Sequence, residues 1–128
     1  MSISESLFTY LKTVTGVTDL VNYRIYPMLL PQKCKLPAIT YEQITELPEH
    51  AMGVDSTINH DIFRFHCWAE TYDSVRDLSD ALITALRDKT GAVGNDTVQR
   101  FFFQDRYDIY ESETETHHTV LEFELWYD

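Results

Sequence analysis

Residues 58–70, INHDIFRFHCWAE, decide the fold. Phe63, Phe65, Cys67 and Ala69 alternate there with Arg64, His66 and Trp68. Successive strand side chains point to opposite faces. The stretch therefore reads as a strand with one apolar face for a core and one mixed face. Burying each phenylalanine contributes on the order of 1.5–3 kcal/mol.

Working outward, the C-terminal stretch 116–128, THHTVLEFELWYD, alternates in the same way. Thr119, Leu121, Phe123, Leu125 and Tyr127 share one side, and His118, Val120, Glu122, Glu124 and Trp126 the other. The preceding stretch 97–112 places Phe101, Phe103, Tyr107 and Ile109 on one face, interrupted by Asp105. The polar link SETETHH between these two strands reads as a hairpin loop, so they pair antiparallel. Upstream, residues 38–47, AITYEQITEL, are rich in β-branched residues and read as a strand. Pro48 ends it, and residues 48–57 read as a polar loop turning at Gly53.

Two segments carry helical spacing. Ser2 and Glu5 have the spacing of a capping box. Ile3, Leu7, Phe8, Leu11 and Val14 then form one stripe, with Gly16 as the C-cap. Thr18 can cap a further short turn through Val21. Residues 72–89 carry a second stripe, Val75, Leu78, Leu82, Ala85 and Leu86, capped by Thr71 or Asp73. Asp73 and Asp77 near its start and Arg87 and Lys89 near its end suit the helix dipole. Gly91 to Asn95 reads as a turn. Between the first helix and the first strand, RIYPMLLPQKCKLPAITY (24–41) has no period. Its prolines remove backbone donors and favour extended geometry, so it reads as an ordered strap. Ile25, Tyr26 and Leu30 are expected to pack on the sheet edge or second helix.

These elements predict an α+β fold: an antiparallel four-stranded sheet with two amphipathic helices packed on one face. At 128 residues and 44% hydrophobic, the chain reads as one domain over 1–128 with a core of its own. No apolar run reaches the roughly eighteen residues of a membrane span. No signal peptide is evident at the N-terminus. Cys34 and Cys67 read as reduced thiols. The net charge of −11 argues against a nucleic-acid-binding surface, which needs clustered cations.

Little in the chain looks like a reaction centre. The four glycines form no phosphate loop. His117 and His118, adjacent on a strand, point apart and do not share a metal. Glu122 and Glu124 lie on one face roughly 7 Å apart, which also suits an exposed strand. With Arg64 and His66 they form the one cluster that could do acid–base chemistry. Trp68, Trp126 and Val120, mixed with Arg64 and Glu122 on the face the helices leave free, either match an interface composition or are half-buried by a curling sheet, two readings of equal weight. Met28, Leu29 and Leu30 of the strap are candidates for a subunit contact, and Leu47, Met52 and Val54 of ELPEHAMGVDST (46–57) are apolar residues that a free monomer explains poorly.

The order of parts carries a further signal. A short helix leads to RIYP, then PQ and the LPAITY strand. FRFHCWAET runs into LSDALITAL, and the chain closes on LEFELWYD. This order resembles the small tail-completion (tail terminator, tail-to-head joining) proteins of long-tailed bacteriophages. The resemblance implies a structural virion protein without catalysis, cofactor or metal. It implies a homo-oligomeric ring, usually hexameric, at the head-proximal end of the tail tube, assembled in the host cytoplasm. Its implied partners are further copies of itself, the tail tube protein and the head connector or adaptor. DNA would pass through the lumen without specific binding, and no membrane is involved. Under this reading Met28, Leu29, Leu30, Leu47, Met52, Val54, Arg64, Trp68, Glu122, Glu124 and Trp126 are the candidate subunit or partner contacts. The competing readings are a head-side adaptor or other minor tail protein, and a small-ligand-binding or enzymatic α+β domain.

Overall fold

The computed structural model describes residues 3–31, 33–51, 54–87, 89–93, 96–112 and 115–127, with only the backbone of 3–4, 45–60 and 96. Ser2, Met52, Gly53, Asn95 and the hairpin tip at 113–114 lie outside the described residues. The proposed Ser2 cap and the Gly53 turn fall there.

In chain order the elements are α1 (Ile3–Leu11), α2 (Thr15–Val21), β1 (Ile25–Pro27), β2 (Ala38–Ala51) and β3 (Val54–Ala69). Then come α3 (Tyr72–Leu86), β4 (Gly91–Val93), β5 (Asp96–Glu111) and β6 (Thr116–Tyr127). The described strands form one six-stranded sheet in the order β1-β2-β3-β6-β5-β4. β1 runs parallel to β2, and every other neighbouring pair is antiparallel. The sheet curls into a half-barrel.

The expected four-stranded, all-antiparallel sheet with two helices is therefore corrected to a mixed six-stranded sheet with three short helices. The two added strands have three residues each, too few to display alternation. β1 lies inside the strap. Ile25 is buried, and the Ile39 N–H donates to the Arg24 carbonyl at 2.9 Å. Pro27 closes β1 at an outer edge, where its missing N–H costs no ladder bond. β4 occupies Gly91–Val93 of the expected 91–95 turn, whose residues 94–95 lie outside the described ones. Gly91 takes φ +94° where it opens, a conformation that suits glycine.

The first helix also differs. α1 stops at Leu11, and Gly16 lies inside α2 instead of capping α1. Pro48 does not end β2. The strand passes through it, paired with Asn59, and the expected 48–57 loop is a long hairpin of β2 and β3. A register shift at Pro48/His50 marks the local disruption. At the other hairpin, His117 and His118 belong to β6, paired with Tyr110 and Ile109.

The core lies on one sheet face. Phe63, Phe65, Cys67 and Ala69 of β3 face it, as expected, with Leu121, Phe123 and Leu125 of β6. Phe123 meets Phe65 and Phe101 edge-on at 5.8 and 5.9 Å between ring centres, a favoured aromatic geometry. Val75, Leu78, Leu82 and Leu86 bury the predicted stripe of α3. Thr71 caps α3 by accepting from the Ser74 N–H at 3.1 Å. α1 joins through Leu7 and Leu11 and through Tyr10, whose hydroxyl donates to the Ala85 carbonyl at 2.9 Å.

One correction reassigns a face. β5 carries an extra residue, Gln104, between Phe103 (opposite Phe123) and Asp105 (opposite Glu122). Such a bulge inverts the side-chain parity beyond it. Phe101 and Phe103 face the core, but Tyr107 and Ile109 do not share their face. Arg106 and Asp108 take the helix side instead. There Arg106 Nη1 reaches Asp80 Oδ1 of α3 at 2.7 Å, and Asp108 faces Arg76 of α3 at 3.4 Å.

Candidate functional site

The sheet face without helices carries five of the eleven sequence-predicted contact residues, Arg64, Trp68, Glu122, Glu124 and Trp126. Its rows follow from register. Thr40, His66, Val120 and Tyr107 lie side by side across β2, β3, β6 and β5. Glu42, Arg64, Glu122 and Asp105 form the next row, and Ala38, Trp68, His118 and Ile109 the row on the other side.

These side chains bind one another. Arg64 donates from Nε and Nη2 to Glu122 Oε1, at 3.1 and 2.8 Å. Its Nη1 lies 3.7 Å from Glu42 Oε1. The hydrogen bond to Glu122 raises the guanidinium pKa above its ordinary value. Glu42 also holds His66 Nε2 at 2.8 Å, and His66 Nδ1 meets His118 Nε2. With neutral rings, Nε2–H of His66 donates to Glu42, and Nε2–H of His118 donates to His66 Nδ1. Trp68 stacks on His118 at 3.9 Å between ring centres and 12° between planes, and its indole N–H donates to Thr40 Oγ1 at 3.1 Å. His118 is buried, and its Nδ1 lies 3.6 Å from Glu111 Oε1, beyond hydrogen-bond reach. Burial and then the neighbouring His66 lower its pKa from 6.5 to about 4.

The structure thus brings Arg64, Trp68 and Glu122 into one cross-strand network and sets Glu124 and Trp126 beside it. Trp126 Nε1 donates to Glu124 Oε1 at 3.1 Å, and the Gln104 amide donates to Glu124 Oε2. Glu122 and Glu124 take separate partners and do not converge on a shared point. Among the described residues, no group of three His, Cys, Asp or Glu could hold a metal ion. No described helix is long and apolar enough to cross a membrane. Cys67 is buried in the core, which pushes its thiol pKa up.

The strap residues sit elsewhere. Met28 and Leu29 are 63% and 79% exposed beside the end of β1. Leu30 turns in with Pro31, Lys33, Cys34 and Leu36 to line an open cleft of about 370 Å³ against Trp68, Glu111 and Thr116. Leu47 and Val54 lie on the β2–β3 hairpin backbone, and Met52 lies outside the described residues.

Sequence reasoning missed Thr40, Glu42 and His118 as members of this network. Thr40 and Glu42 alternate with Ile39 and Tyr41, and that parity was the available signal. It also missed Asp61. This carboxylate shares the parity of Phe63 and Phe65, is fully buried, and accepts from the Tyr127 hydroxyl at 2.7 Å.

The sequence matches the family model described as "Tail completion protein gp17" over residues 5–128. The structure is similar to a chain in the solved "Virion of native gene transfer agent (GTA) particle", with a TM-score of 0.75. That match has 12% identity and covers 98% of this chain and 94% of the other. At that identity the likeness is one of fold. No curated protein matches the chain.

Proposed function

The chain belongs to the tail completion protein gp17 family, and from that premise we propose that it caps the head-proximal end of a phage tail tube as a ring. Family membership makes it a structural protein of the phage tail. The finer reading is a hexamer of a single domain spanning residues 1–128. It ends tube polymerisation and offers a docking face to the head connector. The match over residues 5–128 carries this reading.

Physical features support it. The polar network of the free sheet face is bound internally, as suits a surface built for rigidity. The strap leaves Met28 and Leu29 in water, as suits a contact waiting for a partner. A lumen lined by carboxylates would let DNA slide, because no fixed cations bind its phosphates. The partners under this reading are further copies, the tube protein and the head connector. The protein resides in the tail after assembly in the host cytoplasm.

The test is particle assembly without the protein. A terminator predicts overlong tails or tails without heads. Leaky, tailless heads beside normal free tails would instead assign a head-side adaptor and overturn the proposal. Purified protein added to tail tubes should bind one tube end, seen by electron microscopy.

A further inference from the structure

Both lateral edges of the sheet are open over most of their length. β4 covers β5 only at Asp96–Val98. From Arg100 to Glu111, no strand lies against the outer edge of β5 among the described residues. β1 covers β2 only at Ile39–Tyr41, and among the described residues no strand lies against the outer edge of β2 from Glu42 onward, a stretch with Glu42, Glu46 and Glu49 and no Lys or Arg. An open edge is a row of unpaired N–H and C=O groups that templates another strand. The β5 edge is apolar as well: Tyr107, Ile109 and Tyr110 are 39%, 42% and 55% exposed.

Charge distinguishes the β5 edge from β1 and its strap, while the open stretch of β2 is acidic like β5. Residues 104–115 carry Asp105, Asp108, Glu111, Glu113 and Glu115 against Arg106 alone. Residues 20–41, which form β1, the strap and the start of β2, carry Arg24, Lys33 and Lys35 and no carboxylate. In a chain of net charge −11, that is its one long stretch of unmixed positive charge. Exposed apolar residues accompany it, namely Tyr23, Met28 and Leu29.

Strand direction fits the same pairing. β2, β3, β6 and β5 are successively antiparallel, so β5 runs opposite to β2 and to its parallel neighbour β1. Rotation about an axis along the strands preserves these directions. A neighbouring copy therefore presents β1 and β2 antiparallel to β5. Two β5 edges brought together would instead oppose two acidic segments, which costs energy.

We propose that the β5 edge of one copy pairs with the β1 edge, beside the strap, of the next, so that the sheet continues from subunit to subunit. This is a heterologous contact, which closes into a ring when its rotation divides the circle. The inference rests on the ring reading above and adds the surfaces that join the copies.

The test is hydrogen exchange on the full chain, as monomer and in the assembled state identified by light scattering. Amides of residues 100–111 slow by about tenfold or more on assembly. The double variant Tyr107→Lys, Ile109→Lys weakens self-association by about tenfold while the monomer keeps its melting temperature. The pair Lys33→Glu, Lys35→Glu weakens it in the same way. A ring whose β5 amides exchange at the monomer rate overturns the edge pairing and leaves the ring reading standing. A chain that stays monomeric both alone and with tail tubes overturns both. Protection of β5 only on binding tube protein, without self-association, overturns the pairing in favour of a foreign strand. A symmetric β5–β5 dimer also overturns it.

Discussion

Phe65 and His118 stand on opposite faces of the sheet, and each supports a prediction. Phe65 is fully buried, touching Tyr41, Phe63 and Phe123. Phe65→Ala removes that burial and leaves a cavity that the sheet backbone cannot collapse. It should cost about 3–5 kcal/mol in denaturant unfolding. A loss under about 1 kcal/mol would mean the sheet relaxes around the gap. His118 concerns pH. Its pKa falls from 6.5 to about 4 on folding, so between those values the unfolded chain binds the proton and the folded chain does not. The stability from its neutral form is complete above pH 6.5 and is lost as pH falls towards 4. The groups facing it are His66, Trp68 and Glu111. Melting curves from pH 7.5 to 4 should therefore fall more steeply for wild type than for His118→Gln. Parallel curves would remove His118 from the acid response.

At the scale of elements, the bulge at Gln104 decides which side of β5 meets α3. Beyond it, Arg106 and Asp108 face α3 and hold Asp80 and Arg76, while Tyr107 and Ile109 take the free face. The position matters more than the side chain. Deleting Gln104 restores simple alternation, swings both charged residues off α3 and drives Tyr107 and Ile109 under it. It should destabilise the fold by about 2–3 kcal/mol, against about 0.5 kcal/mol for Gln104→Ala. Equal effects in denaturant titrations would show that β5 slips its register freely. The same bulge explains the limit of sequence reading. β6 was legible because Thr119 to Tyr127 alternate without interruption. The stripe and Thr71 cap of α3 were legible because helical spacing and capping are local. Phe101, Phe103, Tyr107 and Ile109 all read onto one face, yet only the first two share the core face, because an inserted residue leaves no mark on composition. β1 and β4 are short, and their neighbours specify them more than their own residues do. The Glu42–His66–His118 chain depends on cross-strand register, which no single strand reveals.

For the whole molecule, the unresolved demand is what covers the strap. Met28 adopts φ +65° while 63% exposed, and its N–H donates to the Tyr41 carbonyl at 2.9 Å. A left-handed conformation costs a residue with a Cβ about 1–2 kcal/mol. Glycine would adopt it without that cost. Nothing in the monomer's packing rewards a methionine there, nor a leucine 79% exposed beside it. An assembly contact would reward both. The variant Met28→Gly, Leu29→Ser therefore separates the two states of the protein. Relief of the left-handed cost offsets the greater unfolded-state freedom of glycine, so monomer stability should stay within about 1 kcal/mol of wild type. If the strap carries the proposed contact, self-association or binding to tube ends should weaken by about tenfold or more, because the contact loses its apolar anchors. Sedimentation and thermal melting on the same samples read the two quantities independently. If melting falls while association is unchanged, the strap belongs to the core and the copies meet elsewhere. If association falls alone, the left-handed methionine is a conformation kept for the neighbouring subunit.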